Sequence, residues 1–160
     1  MVKLTIRLAA ASAAFGAALG VWAEDAPNTA VKEYDDGGVY EGEFRDGKQH
    51  GQGVFRLPGG YEYSGEWVDG RIEGRGVARY PNGSVYEGDF VDGAPHGQGR
   101  IVYADGGSYE GEWRNGVIEG TGKAVYADGV VYEGAFVNSA HHGQGVMTRP
   151  NGYRYEGGWQ

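Results

Sequence analysis

Metal binding would fall to histidines and carboxylates, because this 160-residue chain has no cysteine. His50, His96, His141 and His142 recur beside Asp46, Asp69 and Asp92. Zinc needs three or four ligands within about 2.3 Å of one point. His50 and His96 lie in separate units of the chain and cannot converge. His141-His142 with Asn138 is the densest cluster, and it reads as polar loop residues beside a tight Gly-x-Gly. Nucleophilic catalysis has no foothold either: there is no thiol and no Gly-x-Ser-x-Gly elbow. Acids are abundant, but a glycosidase needs one pair across a cleft. Gly51-Gln52-Gly53 is not a phosphate loop, since no helix and no Gly-Lys-Ser/Thr follow. The expectation is a chain that is not an enzyme and takes no metal or cofactor.

The remaining chemistry is aromatic, and its spacing exposes the organisation. Tyr86 to Gly99 reads Tyr-Glu-Gly-Asp-Phe-Val-Asp-Gly-Ala-Pro-His-Gly-Gln-Gly. Equivalent starts fall at Tyr40, Tyr63, Tyr86, Tyr109 and Tyr132, and a sixth at Tyr155 runs to Gln160. A fixed period of this size marks a repeat array. Tyr34-Asp35-Asp36-Gly37 matches the end of a unit, so a partial repeat over 34–39 precedes the full ones. The expected array spans 34–160. Gly accounts for 32 residues, at fixed places in the unit, which makes them structural rather than low-complexity.

Each unit holds two extended runs and two turns. In the middle copy the runs are 85–91 and 98–103. Between them, 92–97 reads as a loop with an Asp-Gly signal. Pro-Asn-Gly or Ala-Asp-Gly then marks a tight hairpin. The fold class expected is all-β: a single-layer, elongated antiparallel meander of 23-residue β-hairpin repeats, with about eleven strands. At about 4.8 Å per strand the strip is on the order of 50 Å long.

A period of two assigns the faces. Tyr86, Gly88 and Phe90 share one, and by the same parity Gly97, Gly99, Ile101 and Tyr103 share it. A sheet without a second layer can cover a ring only where a neighbouring strand lacks a Cβ, so aromatic and glycine columns alternate. Tyr63, Trp67, Tyr86, Phe90, Tyr109 and Trp113 form the candidate binding face, a shallow groove for a protein, a glycan strand or lipid, or else simple cover for glycine. The other face carries Glu41, Glu43, Glu66, Glu87, Asp89, Glu110, Glu112, Glu133 and Glu156, with Arg56, Arg75, Arg79, Arg100 and Lys123 between them. It reads as solvated, with cross-strand ion pairs. Tyr153, Tyr155 and Trp159 mark a terminal strand whose edge is a candidate for homodimerisation.

A second period lies inside the first. Phe44, Trp67, Phe90, Trp113, Phe136 and Trp159 alternate, and His50, Glu73, His96, Glu119 and His142 alternate in step. Ser139 departs from the loop glycine of the other units, and position 158 is Gly where most carry an acid.

Lys3 and Arg7 ahead of an Ala-rich apolar run to Trp22, ending Val21-Trp22-Ala23, read as a signal peptide over 1–23. Cleavage after Ala23 implies a periplasmic or secreted protein with a mobile leader over 24–33. Cleavage removes two bases and no acid, so the formal charge of −8 becomes −10. Such a chain is repelled by nucleic acid and by anionic headgroups.

The unit Tyr-Glu-Gly-x-Phe/Trp, followed by x-x-Gly-x-x-x-Gly-x-Gly, resembles the MORN repeat over roughly 34–160, in an exported bacterial style. The resemblance implies gently curved antiparallel sheets with one hairpin per repeat. It also implies scaffolding, dimerisation and membrane or lipid association, often beside a catalytic domain. No stretch of this chain is left over for a kinase domain. The expected function is a non-enzymatic scaffold or protein-interaction module. Binding of cell-wall glycan or membrane lipid through the aromatic face is the alternative.

Overall fold

The computed structural model describes residues 29–160, all of which fall into one antiparallel sheet and its connections. The expected signal peptide over 1–23 and residues 24–28 of the expected leader lie outside the described residues. The strands are β1 (Thr29–Glu33), β2 (Val39–Arg45), β3 (Lys48–Arg56), β4 (Glu62–Val68), β5 (Arg71–Arg79) and β6 (Val85–Val91). They continue as β7 (Ala94–Val102), β8 (Ser108–Arg114), β9 (Val117–Val125), β10 (Val131–Val137), β11 (Ala140–Thr148) and β12 (Arg154–Trp159). Each pairs with its sequence neighbour, so the spatial order is the chain order. The meander has 12 strands rather than eleven, because Thr29–Glu33 is not leader but pairs with β2, Ala30 opposite Gly42. Among the described residues no helix is long and apolar enough to cross a membrane.

Two turn types alternate. Asp46, Asp69, Asp92, Asn115 and Asn138 all have φ near +50°, and the next residue is also left-handed. Two successive positive φ values make the primed hairpin turn whose twist suits flanking strands. The connection is thus two residues, and 94–97, expected in a loop, belongs to β7. Ser139 accepts φ 62° where the other units have Gly, and its Oγ accepts a hydrogen bond from Ile118 N at 3.3 Å. The opposite turns are five residues long. Tyr80 N donates to Ser84 O at 2.9 Å, and Ser84 N to Asn82 Oδ1 at 2.9 Å.

The unit's glycines have a sharper purpose than flexibility. Within each hairpin the register slips: Gly88 faces Gly99, but Asp89 faces His96. This bulge reverses the parity at Gly97, whose φ is 62°. A Cβ there would sit 2.9 Å from Asp89 Oδ2 on the charged face, whereas one on Gly99 would sit 2.5 Å from Tyr86 Cζ. The expectation that Gly97 and Gly99 point alike is therefore corrected. The left-handed backbone at Gly97 turns that one position to the other face, which strict alternation cannot anticipate.

The core is a chain of rings. Tyr40, Tyr63, Tyr86, Tyr109 and Tyr132 are buried on a sheet with no second layer. Each lies over glycines and meets the next unit's Phe or Trp edge-on: Tyr40–Trp67 at 5.1 Å, Tyr63–Phe90 at 5.1 Å, Tyr86–Trp113 at 5.1 Å and Tyr109–Phe136 at 5.0 Å. Edge-to-face pairs at such distances add to area burial.

Candidate functional site

The bulge leaves polar groups out of the ladder, and the repeat's signature residues satisfy them. The tyrosine hydroxyls donate to the carbonyl three residues on: Tyr40 to Glu43 O at 2.9 Å, Tyr86 to Asp89 O at 3.0 Å and Tyr109 to Glu112 O at 3.2 Å. The acid at that position accepts the bulged strand's N–H: Gln52 N on Glu43, Gln98 N on Asp89 and Thr121 N on Glu112. These carboxylates do more than solvate a face. The Thr121 hydroxyl and N–H together hold the Glu112 carboxyl below the usual range. Burial pushes the core phenols up, Tyr40 and Tyr109 to about 12 and Tyr63 and Tyr86 further.

The histidines are explained in the same terms. His50 Nδ1 accepts from Asp69 N and His96 Nδ1 from Asn115 N, both at 3.4 Å. Glu73 Oε1 accepts from Asp92 N and Glu119 Oε1 from Asn138 N, both at 3.3 Å. His and Glu alternate in one column because either can accept the N–H of the next unit's turn. Among the described residues no three His, Asp or Glu are gathered as a metal site. His141 belongs to the other face. Its ring stacks on Tyr132 at 3.6 Å, and its Nε2 meets the Tyr126 hydroxyl at 2.7 Å. Burial lowers its pKa.

The aromatic alternation also has a packing partner that strand parity did not supply. Across each bulged hairpin Trp67 and Trp113 face Ile72 and Ile118, while Phe44, Phe90 and Phe136 face Gln49, Pro95 and His141. Trp67 Nε1 also reaches Gly53 O at 3.4 Å and Trp113 Nε1 reaches Gly99 O at 3.1 Å.

Tyr63, Trp67, Tyr86, Phe90, Tyr109 and Trp113, the candidate binding face or else cover for glycine, are 0–8% exposed. They are the core. The sheet hides its rings by laying each one over two glycine strands and against its neighbours, so little of their surface remains for a partner. The accessible surface lies beside them. A groove of about 730 Å³ opens over repeats two to five. Its floor includes Ile101, Trp113, Ile118 and Ala124, and Pro95, Gly116 and Ser139 lie at the hairpin-turn end. The other rim is Tyr80, Tyr103 and Tyr126. Tyr103 and Tyr126 are 38% and 42% exposed. The sequence reading placed Tyr103 on the aromatic face but otherwise used this column as a turn marker. Its recurrence just after each strand that carries Gly-x-Gly was the available signal.

At the terminal strand, Tyr153 and Tyr155 are exposed while Trp159 is half-buried against Tyr132 at 5.2 Å. Tyr155 still donates to Gly158 O at 3.1 Å, but Trp159 Nε1 is buried without a partner. Among the described residues no serine or threonine hydroxyl is hydrogen-bonded to a histidine.

The SAS-4 (dCPAP) TCP domain of Drosophila melanogaster, solved in complex with a proline-rich motif of Ana2 (dSTIL), matches with a TM-score of 0.49 and 13% identity. The match covers 80% of this chain and 70% of that one. The TCP10 domain of Danio rerio CPAP, solved with a STIL peptide, matches with a TM-score of 0.29 and 18% identity, covering 83% and 65%. No curated protein sequence matches the chain. The MORN-repeat family model matches residues 40–60, 63–85, 86–108, 109–131 and 132–152, so the chain belongs to the MORN-repeat family.

Proposed function

We propose that this array is a non-catalytic protein-interaction module that takes a segment of a partner polypeptide on its aromatic face. The observation that carries the reading is the groove. An apolar floor, flush with the core, is bounded by half-exposed tyrosines at one end of the strands and by tight turns at the other. Both faces of a strip built only of hairpins are open to solvent, and the charged face spends its acids on cross-strand pairs. Arg56 pairs with Glu62 at 2.8 Å and Lys123 with Glu133 at 2.6 Å. Exposed pairs of this kind contribute little to binding or stability. The aromatic face is the surface with unspent apolar area.

The module acts outside the cytoplasm on this reading, because residues 1–23 have the layout of a signal peptide. Glu24 as the first residue of the mature protein would support export; an intact Met1 terminus would remove it. A photo-crosslinking residue at position 103 tests the function in the producing cell, with Glu87 on the charged face as control. A polypeptide adduct specific to position 103 is the expected result. Adducts to glycan or lipid alone, or none, would overturn the reading.

A further inference from the structure

We infer that the groove is built for a polyproline-II segment carrying a basic residue, running along the array across the strands; this rests on the interaction reading above. The first argument is commensurability. Tyr80, Tyr103 and Tyr126 each follow a Gly-x-Gly strand, so they recur at every second strand. At about 4.8 Å per strand, successive rings stand roughly 9.6 Å apart. A polyproline-II helix returns the same face every three residues, about 9.3 Å along its axis. An extended strand returns a face about every 6.8 Å, and an α-helix about every 5.4 Å. Only the first keeps step with the rim, offering one apolar residue to each gap between rings.

The second argument is hydrogen bonding. Strands β5 to β10 are paired on both sides, so the sheet beneath the groove has no free ladder edge. A guest crossing them finds ring faces and single hydroxyls rather than a row of donors and acceptors. Polyproline II makes no internal hydrogen bonds and keeps its backbone in water, so this environment costs it least. Of the rim hydroxyls, that of Tyr126 meets His141, while those of Tyr80 and Tyr103 make no hydrogen bond among the described residues.

Charge supplies the third argument. Asp105 is the one charged side chain lining the groove, and it also lines the adjoining hollow with Asp128 and Arg149. One Asp105 oxygen is held by Gly107 N at 2.9 Å, which fixes the carboxylate at the rim. In a chain of net charge −8 this corner selects for lysine or arginine in the guest.

The test uses the mature protein and a fluorescently labelled synthetic peptide of Pro-Pro-Leu triplets ending in arginines. Two control peptides replace its prolines by glycine or its arginines by glutamate. Fluorescence anisotropy reads the affinity, and circular dichroism confirms that each variant is folded. Tyr103→Ala and Tyr126→Ala should each weaken binding about tenfold or more, the range for truncating a central aromatic anchor. Tyr103→Phe should retain most of the affinity, Asp105→Asn should lower it and flatten its salt dependence, and both control peptides should bind at least about tenfold more weakly. Equal binding of the glycine peptide, or unchanged binding by folded Tyr103→Ala and Tyr126→Ala, overturns the inference. So does tyrosine-dependent binding of chito-oligosaccharide or phosphatidylglycerol vesicles with none of the peptide. If the peptide fails while crosslinking at position 103 still retrieves a polypeptide, the conformation assigned to the guest falls and the interaction reading stands. If both fail, both fall.

Discussion

Two tyrosine columns run along this sheet with the same period and opposite work. Tyr40, Tyr63, Tyr86, Tyr109 and Tyr132 are buried, each hydroxyl closing on a carbonyl that the bulge has freed. Tyr80, Tyr103 and Tyr126 stand at the five-residue turns, and the last two keep about two-fifths of their surface in water. The difference lies in what is beneath the ring. A core tyrosine has Gly in its own strand and Gly in the next, so it lies flat. A rim tyrosine sits beyond the paired residues and has no such slot. Residue type and periodicity are therefore not enough to separate a core aromatic from a contact aromatic on a single-layer sheet; the neighbouring column decides.

The comparison can be strained first by pH. Folding raises the core phenols above their ordinary value of 10.0, Tyr40 and Tyr109 to about 12, chiefly by burial. A pKa raised in the folded state means stability that is complete below the unfolded value and is lost as pH rises through the folded one. The whole array should unfold cooperatively between about pH 10 and 12. Phenolate absorbance and circular dichroism should change together for the core column. Tyr103 and Tyr126 are also raised by burial, so replacing either should move the alkaline midpoint too, but less than replacing a core tyrosine does. A midpoint that follows the rim tyrosines would reverse the two roles.

Single substitutions come next. Tyr86→Ala should cost about 3–5 kcal/mol in urea unfolding, as for other fully buried rings, against roughly 0.5 kcal/mol or less for Tyr103→Ala. Gly99→Ala puts a methyl 2.5 Å from Tyr86 Cζ, with the Tyr86 hydroxyl closer still. It should cost about 1–3 kcal/mol or more, and Tyr86→Ala should relieve part of that cost in the double variant. Tyr86→Phe leaves Asp89 O unpaired beside the bulge and should cost roughly 1–3 kcal/mol. Equal effects for Tyr86→Phe and Tyr103→Phe would deny the carbonyl its structural weight.

The smallest expected effects sharpen the explanation of the His/Glu alternation. His96→Glu keeps an acceptor for Asn115 N and should shift stability by less than about 0.5 kcal/mol. His96→Leu removes the acceptor and should cost about 1 kcal/mol. Glu112→Gln tests the carboxyl that Thr121 lowers. A lowered pKa contributes stability above the unfolded value that is lost as pH falls through the folded one. The wild type should therefore lose stability in acid, and Glu112→Gln should lose less over the same range.

Much of the fold was legible. The 23-residue spacing, the Asp-Gly and Asn-Gly signals and the alternation in Tyr-Glu-Gly-x-Phe/Trp dictate hairpins, their order and the face that carries the rings. Thr29–Glu33 was missed because it lacks the Gly-x-Gly of its equivalents; Ala30 stands where Gly53 would, and pairing with β2 alone makes it a strand. The site was less legible. Tyr63, Trp67, Tyr86, Phe90, Tyr109 and Trp113 share the aromatic face as expected. The pattern offered cover by glycine and contact with a partner side by side, and the degree of burial, set by the strand alongside each ring, could not be read from it.

The sequence by itself determined the repeat, the strand order and the turn chemistry, because these depend on φ preferences and neighbours a few residues apart. Only the tertiary structure decided the bulge, the reversal at Gly97 and the division of roles between the two tyrosine columns. Those depend on which strand lies alongside, and on whether the atom facing each ring is a Cβ or the gap that a glycine leaves.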